Sequence, residues 1–144
     1  MGASGWDYVE PYEGDPSQSL TRLRNRVLAE SDYYWDDDYL GPRPASLDEL
    51  DQLREEEEFW EVGTHSVLDV DRVIAADDED HDGTVRELPE DEAISIFGTA
   101  EPTRDLFIAR RNELPNHRQW SGLYQLLHRA GAPTEIAFWG ISGD

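Results

Sequence analysis

The sequence predicts an α+β fold, as one compact domain over residues 1–144. It should hold a mixed or antiparallel sheet with a C-terminal hairpin and three to four helices packed on it. Three observations lead there. A length of 144 residues suits one domain. Apolar residues recur at helical spacing in several capped segments before residue 115. The segment from Gly122 to Ile141 instead carries two strand-like runs around a Gly-Pro turn. A hydrophobic fraction of 38%, with five Trp, six Tyr and four Phe, supplies one core despite a mean hydropathy of −0.73.

Each element has a local reason. Trp6-Asp7-Tyr8-Val9 alternates like a short strand, stopped by Pro11. Asp15-Pro16 reads as an N-cap followed by proline in the first turn, and Leu20, Leu23, Val27 and Leu28 follow on one helical stripe. Arg22, Arg24 and Arg26 fall elsewhere on that wheel. Tyr33-Tyr34-Trp35 begins a strand or forms an aromatic cluster beside Asp36–Asp38. Gly41-Pro42-Arg43-Pro44 is a turn. Ser46 and Glu49 form a capping box for a helix with Leu47, Leu50 and Leu53 as its stripe, running into Glu55–Glu58 and stopping near Gly63. His65 to Ile74 is a strand candidate, with Leu68, Val70 and Ile74 on one face and Asp69 and Asp71 on the other. Pro89 opens a short helix bearing Ile94 and Phe97 and closed by Gly98. Thr103 caps another, with Leu106, Phe107 and Leu114 facing inward. Gly122–His128 and Glu135–Ile141 are apolar on both faces, so their hairpin belongs in mid-sheet, covered by helices on at least one side.

Charge sets the functional expectations. The chain has 33 Asp and Glu against 12 basic residues, all of them Arg, for a net charge of −21. Residues 1–92 hold 28 acids and 7 Arg, while residues 93–144 hold 5 of each. Without cysteine there is no disulfide, thiolate metal site or cysteine nucleophile. Without lysine there is no Schiff base and no P-loop lysine. An acidic body is expected to bind no nucleic acid directly, since counterion release needs a basic surface. The start, Met1 to Asp7, lacks the basic and apolar regions of a signal peptide, and Trp6 breaks a Gly2 myristoylation pattern. No apolar stretch approaches the ~20 residues that span a bilayer. No membrane partner is therefore expected, and the expected compartment is the cytoplasm.

Four features bear on chemistry. Asp78, Asp80 and Asp82, followed by Gly83, match the opening of a calcium loop. Position 12 is Pro89, though, where a bidentate Glu is required. His65, His81, His117 and His128 show no zinc spacing, and Gly63-Thr64-His65-Ser66 matches no serine-hydrolase elbow. With 33 acids, carboxylate pairs at glycosidase-like separation arise by chance. The fourth feature is the acid runs interleaved with aromatics. Tyr34, Trp35, Asp36, Asp37, Asp38, Glu55, Glu56, Phe59 and Trp60 are the expected partner-binding residues, acids steering a cationic surface and aromatics anchoring in it.

The leading expectation is a small acidic, non-enzymatic protein that neutralises a basic partner protein. In size and charge it is similar to bacterial immunity proteins that block toxic effectors such as nucleases, without carrying a family motif. Other expectations are a DNA mimic that inhibits a nucleic-acid-binding protein, a halophile-adapted enzyme using His65 or His128 with carboxylates, and a calcium-binding module.

Overall fold

A computed structural model of the chain describes residues 4–143. Gly2 and its acylation pattern lie outside the described residues. In chain order the elements are β1 (Ser4–Pro11), α1 (Pro16–Glu30), α2 (Asp37–Leu40), α3 (Leu47–Leu53), α4 (Phe59–Val62), a 3-10 turn (Val67–Asp69), β2 (Arg72–Val73) and β3 (Thr84–Glu87). After these come α5 (Glu90–Phe97), α6 (Arg104–Ala109), a second 3-10 turn (Arg111–Glu113), β4 (Ser121–Arg129) and β5 (Ala132–Ser142). The α+β expectation holds. Helices exceed the expected three to four because α2 and α4 are separate single turns.

The five strands form one mixed sheet in the order β1-β5-β4-β3-β2. β5 pairs antiparallel with both β1 and β4, while β4 pairs parallel with β3 and β3 with β2. The hairpin is therefore central, as its two apolar faces require. On one face Tyr124, Ile136 and Phe138 share a core with Leu20, Leu23 and Val27 of α1, Leu50 of α3 and Phe59 of α4. On the other, Leu123, Leu127, Ala137 and Trp139 meet Ala93 and Phe97 of α5 and Phe107 of α6. Period-2 alternation along β5 thus feeds two helical layers. The Trp6 ring lies flush on the sheet because Gly140 has no Cβ there; one added would sit 2.5 Å from the ring.

The caps follow the sequence closely. Asp15 accepts from Ser17 N at 3.0 Å, Ser46 Oγ from Glu49 N at 3.2 Å and Thr103 Oγ1 from Leu106 N at 3.2 Å. The return bond of the capping box slips one residue, with Glu49 accepting from Ala45 N at 2.8 Å.

Four local expectations are corrected. β1 continues through Pro11, which pairs with Glu135, because an edge strand tolerates a missing donor. α3 ends at Leu53 and does not run to Gly63. Four adjacent carboxylates at Glu55–Glu58 repel one another, and the Trp60 indole satisfies the freed Arg54 carbonyl at 2.7 Å. His65–Ile74 holds a capped 3-10 turn of three residues, Val67–Asp69, and a strand of only two at Arg72–Val73. Its Asp69 points into the core instead of outward. Arg24 is buried on α1, paired with Asp51 at 2.8 Å. β3 was not anticipated, since Thr84–Glu87 is short and set among charges.

Candidate functional site

The acid runs become a surface through two single-turn helices. Asp36 is the N-cap of α2 and accepts from Tyr39 N at 3.1 Å. Asp37 and Asp38 occupy its first turn, where exposed N–H groups favour negative charge. The turn pushes Tyr39 outward, 47% exposed, and its hydroxyl donates to Glu61 Oε2 at 2.6 Å. Glu61 belongs to α4, which follows Glu55–Glu58 directly. One phenol therefore fastens the Asp36–Asp38 run to the Glu55–Glu61 run. Accepting that hydrogen bond, the Glu61 carboxylate holds the Tyr39 phenol above its ordinary pKa, with Glu58 and Asp36 adding to the effect.

The aromatic residues divide. Tyr34 is 48% exposed and stacks on His65 at 4.8 Å between ring centroids. Its N–H donates to the Thr64 carbonyl at 2.9 Å. Trp60 is half-buried, edge-on to Trp120 at 5.2 Å and under the Arg54 guanidinium. Trp35 is buried, donating from its indole to Gly41 O at 2.8 Å, and Phe59 is wholly buried. These two were expected as anchors and instead hold the surface up from below. Asp36, Asp37, Asp38, Glu55 and Glu56 all reach solvent. Tyr39, Glu58 and Glu61 join them. The Asp36-x-x-Tyr39 cap spacing was the sequence signal for Tyr39's placement.

Beneath this surface lies a buried polar knot. Asp69 Oδ1 accepts from Thr64 N and Thr64 Oγ1, both at 2.8 Å, and Oδ2 accepts from Ser142 Oγ. Thr64 Oγ1 also lies 2.7 Å from Ser66 Oγ, whose oxygen accepts from Leu68 N. The knot ties the His65 loop to the end of β5. Burial raises the Asp69 pKa above its ordinary value, against the pull of bonds from Ser142 and Thr64 and the charge of Arg54.

The residues of the other candidate chemistries are placed elsewhere on the molecule. Asp78 accepts from Ala75 N, Asp80 pairs with Arg86 at 2.8 Å and Asp82 with Arg118 at 3.0 Å. The Arg86 guanidinium also donates to the Ala76 and Asp78 carbonyls. It thus brings a positive charge to the loop expected to hold calcium. Among the described residues, the carboxylates that gather closely enough for one ion are Asp36, Asp37 and Asp38. His65 lies 3.0 Å from Val62 O through Nε2, and the His–carboxylate contact among the described residues is His117–Glu92 at 2.8 Å. His128 Nδ1 is buried without a partner.

Among the described residues no helix is long and apolar enough to cross a membrane. No protein-family model matches the chain, and neither a curated protein nor a solved structure is similar to it.

Proposed function

We propose that this protein is a small non-enzymatic binder that neutralises a basic partner protein, in the manner of an immunity protein against a toxic effector such as a nuclease. One observation carries the reading. The Tyr39–Glu61 hydrogen bond joins two acid runs into a single field with exposed tyrosines, Tyr34 and Tyr39, within it. Such a field steers a cationic partner and raises its association rate, while tyrosine provides rigid amphipathic contact area. Asp36, Asp37, Asp38, Glu55, Glu56, Glu58 and Glu61 supply the charge. Tyr34, Tyr39 and the edge of Trp60 supply the contact.

Affinity capture from the native host at low salt, run in parallel with wild type and the Asp36–Asp38→Asn variant, tests this. A basic protein retained by the wild type and lost from the variant is the expected result. With that protein purified, the variant should associate about tenfold more slowly and with a shallower salt dependence. An association rate indifferent to salt in the wild type would sink the proposal.

A further inference from the structure

We propose that the free edge of β1 docks an extended basic segment of the partner, adding a strand to the sheet and placing one Arg or Lys side chain in the groove beside Tyr34 and Asp32. This rests on the reading that the partner is basic.

The two edges of the sheet are built differently. β2 has two residues and α1 packs against it. β1 has eight, in unbroken register with β5 from Ser4 to Pro11 and without a bulge. An antiparallel strand turns the N–H and C=O of alternate residues toward its neighbour and the rest away. Among the described residues, no backbone hydrogen bond reaches Gly5 to Glu10 from any segment except β5. Folded proteins usually shorten, bulge or cover such an edge, because it is a template for another strand. Here it stays long and unbroken.

A groove of about 590 Å³ runs along this edge. Its walls include Trp6 and Tyr8 of β1 and the stacked Tyr34–His65 pair, with Asp7 and Asp32 supplying carboxylates. Asp32 is exposed and forms no ion pair among the described residues, while Asp7 reaches Arg111 only at 3.6 Å. Aromatic faces with an unspent carboxylate suit a guanidinium or ammonium group. Charge also selects the occupant. A second copy would bring −21 against −21, whereas a basic strand is attracted along its whole length. Tyr34 belongs to the acidic face as well, so edge and face form one continuous footprint.

The probe is a peptide of about ten residues alternating Arg and Val, titrated into the isotope-labelled full-length protein at ~50 mM salt, where screening is modest. Alternate amides of Gly5–Glu10 should exchange with solvent roughly tenfold more slowly on binding. A version N-methylated at every second residue keeps the charge and loses a pairing edge, and it should give no such protection. The double substitution Asp32→Asn with Tyr34→Ser lies outside β1 and should weaken binding about tenfold. Equal binding of both peptides, or protection on α2 and α4 in place of β1, overturns edge docking while a basic partner still stands. Absence of binding by either peptide overturns it too, and the capture and salt-dependent rates then judge the wider reading separately. Concentration-dependent dimerisation with protection of β1 would show a second copy as the occupant and overturn the choice made here.

Discussion

The acidic layer of residues 12–71 and the hairpin of β4 and β5 bury their apolar groups by opposite means. In the hairpin, long strands present apolar side chains to both faces, and paired backbone sets the geometry. The acidic layer has one long helix and then shorter ones, all but α4 capped by their own carboxylates and hydroxyls. Asp15 and Asp36 cap helices, Glu49 returns to Ala45, and Asp69 holds the loop from Thr64. Part of the negative charge in residues 1–92 is therefore structural. Other carboxylates, Asp37, Asp38 and Glu55–Glu58 among them, are exposed. Counting charge overstates what is free to act, and only the placement of each carboxylate separates the two kinds.

The sharpest way to break this contrast is in the core. Phe138→Ala should cost about 3–5 kcal/mol in urea unfolding, because Phe138 is wholly buried at mid-sheet. Phe59→Ala removes an equally buried ring from a four-residue helix. It should speed amide exchange in residues 46–66 well before the sheet loosens, and equal loosening of both regions would abolish the distinction.

Next in size is Asp69. Its Ala variant leaves buried donors on Thr64 and Ser142 without an acceptor, a cost of about 2–4 kcal/mol at neutral pH. Asp69→Asn should cost less and alter the pH dependence. Since the folded pKa lies above the unfolded one, the folded state holds that proton more tightly. The stability this contributes is present below the ordinary value and lost as pH rises toward the raised one. Wild type should therefore gain stability relative to Asn as pH falls through that window. A constant difference between the two denaturation curves would place the Asp69 pKa at its ordinary value.

Removing the cap with Asp36→Ala should unwind α2 at a local cost of about 1 kcal/mol and release Tyr39 from Glu61, visible as faster exchange at Tyr39 and Leu40. The smallest effect is expected from salt. Raising it from ~10 mM to ~500 mM shortens the screening length severalfold and should lift Tm by about 4 °C, roughly 1 kcal/mol for a domain of this size. A protein that melts cooperatively only at the high-salt end would instead match the composition of a halophile.

Local signals in the sequence foretold most elements. α1, α3, α5 and α6 announce themselves through Asp15-Pro16, Ser46 with Glu49, Pro89 with Gly98, and Thr103. The hairpin shows in its uninterrupted apolar runs. What escaped depends on contacts distant in sequence. Nothing near Thr84–Glu87 signals that it lies between β2 and β4, nor that Asp69 turns inward to meet Ser142. The candidate face was half legible. Its acids were apparent, but Trp35 and Phe59 look like anchors until the turns of α2 and α4 direct them into the core.

Ser4 stands opposite Ser142 in the sheet, so β1 finds its place against residues at the far end of the described chain. A chain emerging from the ribosome makes β1 more than a hundred residues before β5, its sheet neighbour among the described residues. Until β5 appears, Trp6 and Val9 have no strand to lie beside, and the acid-rich stretch between must close as one long loop before they do. Pairing of β1 therefore waits on synthesis of β5. During that delay, mutual repulsion among nascent copies is a safeguard supplied by the same carboxylates.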